Sequence, residues 1–397
     1  MEKPESTTKP RKPKARAAVE TKPPKAEKTP KTRAARQAAK SPEKPKRAAK
    51  PRALPAPDLF VDPAALKKLR LVAVAYSNVE REWFPTDEAY EAEREVEERA
   101  QTVMEELAKL GINARTYPGD QYFLTNLLVD RPDLVLNLVD TLRGRDYLQT
   151  SVPGALELAN IPYTGADMRG LVIGNDRNMF KQLLVAASIP TPDFQFIQRK
   201  GTKVRADLGL PLIVKLNESG GSVGIDNAAV KETLEDAQAQ VDDLLSTYKI
   251  PVIVERFVDG PEITAVVFDD GQKKHVFLGR KVFHHKPDGK HEFTSLESYG
   301  HKNPYDYAPL EDADLVRRIE EFAVKAFGVL HNKDYSKFDI RVDEATGTPY
   351  FTDCNPNTAF GPNLGLPFTE ILKVLYGVPF ERVLASLMSK YARKIEA

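Results

Sequence analysis

The stretch YSKFDIRVDEATGTPYFTDCNPNTAFGP, Tyr335 to Pro362, reads as two strands joined by a turn, and the rest of the chain is placed from it. Strand-forming residues run from Phe338 to Val342 and from Tyr350 to Cys354. Gly347 and Pro349 between them carry the turn signal that makes two such runs a hairpin. Side chains alternate faces along a strand, so Asp353 and Asn355 point one way and Cys354 the other, toward a core. The hairpin can therefore bring Asp339, Asp353 and Asn355 together as oxygen ligands. Two carboxylates and an amide suit a hard cation such as Mg²⁺, with Mn²⁺ as the alternative, whose remaining ligands are water and nucleotide phosphate. Taken alone, the same residues also fit a hairpin with solvated carboxylates at its rim.

Upstream, LPLIVKLNESGGSVGI (Leu210 to Ile225) is an apolar run that ends in Lys215 and a glycine-rich loop. Glycines let backbone N–H groups approach an anion, and a lysine at the loop's edge adds a point charge, which is phosphate-binding chemistry. It is neither the Walker pattern nor the dinucleotide Gly-x-Gly-x-x-Gly. VIVERFVDGPEITAVVF (Val252 to Phe268) then gives two buried strands around the turn Asp259-Gly260-Pro261. Glu255 and Glu262 stand at the strand edges, where a carboxylate needs a partner.

Taken in order, these motifs resemble the ATP-grasp superfamily, and within it the D-alanine–D-alanine ligases, from about Arg70 to the C-terminus. The resemblance implies an α/β chain in several parts: an N-terminal parallel-sheet domain over 66–165, a small lid subdomain over 166–252 and a large subdomain with the metal site over 253–397. It implies ATP as the bound nucleotide and an ATP-dependent carbon–nitrogen ligase, ADP-forming, that joins a small-molecule carboxylate to an amine through an acyl phosphate. Amino-acid or dipeptide-type substrates follow from the same likeness. Lys215 looks like the lysine on the α and β phosphates, and Gly220, Gly221, Ser222 and Gly224 like the loop over them, with Ser222 also among the catalytic residues. Glu255 resembles the acceptor for the adenine amino group, Val258 the backbone contact at the adenine edge and Glu262 the acceptor for the ribose hydroxyls. The second phosphate cation is Arg177 or Lys181, in a helix opening at NDRNMFKQLL with Asn175 as a candidate N-cap.

The likeness is close in the nucleotide half and loose in the substrate half. Ser77 to Glu82, SNVERE, resembles a family motif whose first glutamate positions the first substrate's amino group, here Glu80, but Ala75-Tyr76 replaces the preceding Gly-Gly. Asp140 and Arg143-Gly144-Arg145-Asp146 stand where the family has His-Gly and Gly-Glu-Asp-Gly. Lys337 stands where it has the arginine that stabilises the tetrahedral intermediate. Asp353 replaces a glutamate, and Asn363-Leu364-Gly365 replaces a Ser-Leu grip on the substrate carboxylate. Within the long polar stretch 278–307, Lys281 and Tyr299 are candidates for the covering loop's lysine and tyrosine. Its histidines lack metal spacing and read as solvated.

The beginning of the chain is of another kind. Residues 1–50 hold seventeen Lys or Arg against five Asp or Glu, with eight Pro and no aromatic residue, so this segment carries +12 and the remainder −11 of the chain's net +1. Such a segment buries too little apolar surface to offset its ordering entropy, so the tail over 1–58 is expected to be disordered. Its charge suits nucleic acid or another polyanion, or a purely solubilising arm. An inactive nucleotide-binding body serving that tail is the alternative reading of the whole chain. No apolar run reaches the ~18 residues of a membrane span, and one cysteine fits a reducing, cytoplasmic setting. Oligomeric state is open, a homodimer included.

The body is expected to begin near Leu66. Leu71–Tyr76 reads as a buried strand, a helical pattern runs from Ala89 to Leu110, and Ile112–Tyr117 and Leu134–Leu138 read as further strands. A helix over Val152–Ala159 follows. Alternating strands and helices call for a parallel sheet with active loops at the strands' carboxyl ends.

Overall fold

The computed structural model describes residues 54–91, 93–218, 223–286, 288–295, 304–362 and 366–395. The basic tail up to residue 53 lies outside the described residues. Short buried apolar runs make β1 (Val72–Tyr76) and β3 (Leu134–Leu138), and β2 (Ala114–Pro118), which buries only Tyr117, lies at the edge; the three pair in parallel in the order β2-β1-β3. The helical pattern between β1 and β2 is split into Asp87–Glu91 and Val96–Lys109 rather than continuous. The second helix buries Ala100, Val103 and Leu107, and β2 starts at Ala114, two residues after the expected Ile112. The later helix spans Ser151–Leu158.

The second sheet is antiparallel, in the order β4-β7-β5-β6, from β4 (Phe194–Ile197), β5 (Leu212–Leu216), β6 (Val230–Lys231) and β7 (Val252–Arg256). Helix Leu234–Tyr248 covers it through Ala237, Val241 and Leu244. All of β7 pairs within this sheet, which therefore extends to Arg256.

The third sheet, also antiparallel, runs β10-β9-β8-β11-β12, from β8 (Glu262–Asp269), β9 (Lys274–Phe283), β10 (Tyr305–Ala308), β11 (Tyr335–Val342) and β12 (Pro349–Asn355). Residues 278–283, read as loop in the sequence, complete β9, because Leu278 is buried and the run pairs with β8 up to Arg280 and with β10 from Arg280 to Phe283. One face of this sheet packs Ile263, Ala265, Val267, Phe338 and Ile340 against helix Ala313–Val329. Val266, Phe268, Phe277 and Tyr335 on the other face join a core with helices Pro367–Tyr376 and Phe380–Ala392. Gly260 sits in the β7–β8 turn at φ 138°, where a Cβ would lie 2.0 Å from the Val342 carbonyl oxygen, so no other residue fits.

The ordered body starts before Leu66. Leu59 is fully buried in the large core, Phe60 N–H donates to Asp270 at 3.1 Å and Asp62 N–H to Ser389 Oγ at 2.9 Å. Among the described residues no helix is long and apolar enough to cross a membrane.

Candidate active site

The hairpin of β11 and β12 sets Asp339 directly opposite Asp353, and Lys337 opposite Asn355. A bulge next to this pair makes it possible. Ile340 faces Phe351 instead of Thr352, so Phe351 and Cys354 both stay in the core while Asp353 turns to the polar face. Burial pushes the Cys354 thiol far above its ordinary range, and its sulfur lies 3.5 Å from the Asn332 amide, as a core residue's would.

Each expected metal carboxylate is held by a cation. Arg177 Nη2 donates to Asp353 Oδ2 at 2.6 Å, and Lys337 Nζ to Asp339 Oδ2 at 2.6 Å. Burial would push the Asp353 carboxyl up, but Arg177 and Lys215 outweigh it and the group lies below its usual range. Arg177 is fixed by its own Nη1 donating to the Leu216 carbonyl at 2.7 Å, at the end of β5. It opens helix Arg177–Ala186, whose N-cap is Asp176 accepting from Met179 N–H; Asn175, expected there, instead ends the preceding helix.

Behind this pair lies a buried cluster of one carboxylate and two lysines. Glu255 Oε2 is 3.2 Å from Lys181 Nζ and 3.3 Å from Lys215 Nζ. Burial acts against the Glu255 charge, yet Lys181, Lys215 and Arg177 hold its carboxyl below the usual range. Burial lowers Lys181 to about 8, and its Nζ also donates to Thr191 Oγ1 at 3.0 Å. Lys181 is 0 % exposed, so it reads as the support of Glu255 rather than as a phosphate ligand. Glu255 Oε1 is buried without a hydrogen-bond partner, an acceptor suited to an amino group.

Glu262, the expected acceptor for the ribose hydroxyls, is itself held by two cations and a hydroxyl. Oε1 accepts from Lys281 at 2.6 Å and Thr294 at 2.8 Å, and Oε2 from Arg341 at 3.2 Å, and these cations hold the carboxyl at about 2 despite burial. Arg341 also donates to the Val258 carbonyl at 2.6 Å, so it ties the two nucleotide-side expectations together. Arg341 was missed in the sequence. It stands two residues beyond Asp339, and the alternation that placed Asp339 puts it on the same face.

Gly224 has φ 77°, the left-handed conformation a phosphate loop uses. Gly220, Gly221, Ser222, Tyr299 and Asn363 to Gly365 lie outside the described residues. Glu80 is exposed after β1, with the Asn78 amide 3.4 Å from its carboxylate. In the same region Asp140 is paired to Arg99, and burial with the charges of Asp140 and Asp146 pushes the Glu93 carboxyl well up. His291, expected to be solvated, is buried and bonded to Glu232 at 3.0 Å. Among the described residues no group of three His, Cys, Asp or Glu forms a metal cage, so any ion here would rest on Asp339, Asp353, the Asn355 amide and ligand oxygens. That donor set fits a hard cation. Asp339 Oδ1, moreover, is buried with no hydrogen-bond partner.

The parallel sheet, the small antiparallel sheet and the large sheet with its hairpin define an ATP-grasp protein. The profile of the D-alanine–D-alanine ligase C-terminus matches residues 183–388. The D-alanine–D-alanine ligase of Herminiimonas arsenicoxydans is 30% identical over 277 residues, covering 66% of this chain and 78% of that protein. In fold, the chain is similar to the crystal structure of Bacillus anthracis D-alanine–D-alanine ligase complexed with ATP, with a TM-score of 0.62 at 19% identity over 82% of this chain and 98% of that one. The VanG D-Ala:D-Ser ligase of Enterococcus faecalis gives 0.60 at 20% identity, over 81% and 99%. This chain belongs to the D-alanine–D-alanine ligase family and is an ATP-dependent, ADP-forming carbon–nitrogen ligase.

Proposed function

We propose that the enzyme uses ATP and Mg²⁺ to activate the carboxylate of an amino-acid or dipeptide-type substrate as an acyl phosphate and joins it to an amine. The observation that carries this reading is the charge arrangement around the hairpin. Arg177, Lys181, Lys215 and Lys337 stand against Asp339, Asp353 and Glu255, four positive charges for three negative, as the pairs Arg177–Asp353 and Lys337–Asp339 and the cluster of Glu255 with Lys181 and Lys215. A site so balanced takes a polyanion accompanied by a divalent cation.

In this reading Lys215 and Arg177 bind the phosphates, and Glu255 Oε1 accepts from the adenine amino group. Asp339, Asp353 and Asn355 would hold Mg²⁺, which would supply neutralisation of the phosphate charge. The γ-phosphoryl passes to a substrate carboxylate oxygen and ADP leaves. The amine then attacks the acyl carbon, phosphate departs with the former carboxylate oxygen, and an amide remains. Lys337, freed from Asp339, stabilises the oxyanion of that second step. Asp140 tied to Arg99 and Lys337 in place of arginine support a substrate other than D-alanine itself. For the basic tail, contact with nucleic acid or another polyanion is the reading its charge supports.

The test is phosphate and ADP release in the presence of single amino acids and amino-acid pairs, with Mg²⁺ present or chelated. Release that depends on both an added amino acid and Mg²⁺ is expected. ADP release indifferent to every added carboxylate and amine would overturn the ligase reading and favour a nucleotide-binding body without ligase turnover.

A further inference from the structure

On the face of the five-stranded sheet that carries Asp339 three buried oxygens lie near one another without a well-formed hydrogen bond: Oδ1 of Asp339 and the hydroxyls of Thr264 and Tyr307, the last two being close enough to interact with each other. The register brings them together. Asp339 stands directly opposite Thr264, and Thr264 directly opposite Gly279, so Asp339 and Thr264 rise from one face of adjacent strands. At Gly279 a Cβ would lie 2.8 Å from Tyr307 Cδ1. Its absence lets the Tyr307 ring cross the strand, with its hydroxyl facing that of Thr264.

Thr264 is 0 % exposed and Tyr307 7 %. A buried hydroxyl whose hydrogen bonding is incomplete is costly, and valine has the same shape as threonine, so packing alone does not call for the Thr264 hydroxyl. The other oxygen of Asp339 is taken by Lys337 at 2.6 Å, the lysine that the proposed second step needs elsewhere. Once Lys337 leaves, Asp339 requires a new donor to fix the plane of its carboxylate, and Thr264 is the adjacent one.

We infer that Thr264, backed by Tyr307, is a positioning residue for Asp339. With Lys337 withdrawn, Thr264 donates to Asp339 Oδ1 and accepts from Tyr307, which would leave Oδ2 free to hold a cation. Lys337 and Thr264 thus exchange the carboxylate between the resting and the loaded site. The inference rests on the metal assignment proposed above, and its test keeps the two apart.

Mn²⁺ affinity of the ADP complex, measured by electron paramagnetic resonance, is compared in wild type, Thr264→Val, Thr264→Ser, Tyr307→Phe and Asp353→Asn, together with metal-free ADP affinity. Groups that orient a metal ligand are worth about 10–100-fold in metal affinity. Thr264→Val should therefore weaken Mn²⁺ by about tenfold or more, Thr264→Ser should retain it, and ADP affinity without metal should not change. Tyr307→Phe, which keeps the ring over Gly279, should give a smaller loss in the same direction and serves if the valine variant folds poorly. Wild-type Mn²⁺ affinity in both Thr264→Val and Tyr307→Phe, with a raised melting temperature for the valine, would mark Thr264 as a mere buried orphan and overturn the inference while leaving the metal site intact. Equal Mn²⁺ binding by wild type and Asp353→Asn, or none by wild type, would overturn the metal assignment and the inference with it.

Discussion

Arg177 and Asp353 form a 2.6 Å ion pair that links the first turn of a helix to the strand end expected to hold a metal. Arginine is a permanent cation, so nothing in the physiological pH range releases Asp353 from it. A divalent ion arriving alone meets a carboxylate that is already neutralised. Phosphates arriving with the ion offer Arg177 another anion. Arg177→Met should therefore strengthen Mn²⁺ binding to the nucleotide-free protein and weaken ATP binding by about tenfold or more, since a charge-assisted hydrogen bond is lost. Titration of Mn²⁺ and of a fluorescent nucleotide into both proteins checks this, and a variant weaker for both ligands would contradict the counter-ion role. Asp353→Asn should fold normally yet lose Mg²⁺-dependent ADP release by orders of magnitude, and full release in that variant would contradict the metal assignment.

Lys181 makes a prediction about stability and pH. Its folded value of about 8 lies below the 10.5 of a free lysine, because burial outweighs the attraction of Glu255. Below pH 8 both folded and unfolded chains keep the proton and Lys181 adds no slope. Between 8 and 10.5 the unfolded chain binds more protons than the folded one, so stability rises with pH in that window. The stability of the native sequence relative to Lys181→Met should grow across it, by no more than ~3 kcal/mol. Denaturant unfolding at both ends of the window measures the gap. A gap that shrinks as pH rises would mean that Lys181 is charged and well paired throughout.

The hairpin was legible because its logic is local. Period-two alternation and one turn are enough to set Asp339 and Asp353 face to face, and the structure pairs them. The bulge beside them was not legible, since Thr352 carries no mark of an extra residue and only the need to bury Phe351 and Cys354 together reveals it. Partners distant in sequence were equally hidden. Nothing in Glu255 alone announces that two lysines, 74 and 40 positions before it, converge there in the order Lys181, Lys215. The split between Glu91 and Val96 escaped because alanine and valine kept a helical period through the break. Where the sequence departed from its family, at Asp140 and Lys337, the structure supplied each residue with a partner, Arg99 and Asp339.

The basic tail and the arm that follows it should separate cleanly. Deleting residues 1–53 removes the +12 segment together with three more residues, whose composition buries little apolar surface, so nucleotide affinity and melting temperature should not change. Salt-sensitive binding to DNA or RNA should disappear, because the salt slope scales with the phosphates neutralised. Extending the cut through Asp62 removes buried Leu59 and the bonds from Phe60 to Asp270 and Asp62 to Ser389. That should cost about 2–4 kcal/mol. Thermal melts and filter binding of the two truncations give the answer. An unchanged salt slope after the first cut would move any nucleic-acid contact onto the body.

Lys337 divides the two chemical steps. Its ammonium sits on Asp339 at 2.6 Å and directly across the hairpin from Asn355, at the edge of the expected metal site. Phosphoryl transfer depends on the metal carboxylates and on Lys215, whereas amide formation needs a cation where the tetrahedral oxyanion forms. Removing one oxyanion stabiliser costs about 10²–10³ in rate. Lys337→Ala should therefore slow amide formation far more than acyl-phosphate formation, and hydroxylamine should trap a larger share of the intermediate as hydroxamate. Hydroxylamine attacks readily enough to depend less on oxyanion stabilisation than an amino acid does. ADP, amide and hydroxamate are measured side by side in both proteins. Equal losses of ADP and amide would assign Lys337 to the γ-phosphate or to the hold on Asp339, and absence of hydroxamate from the wild type would count against an acyl phosphate altogether.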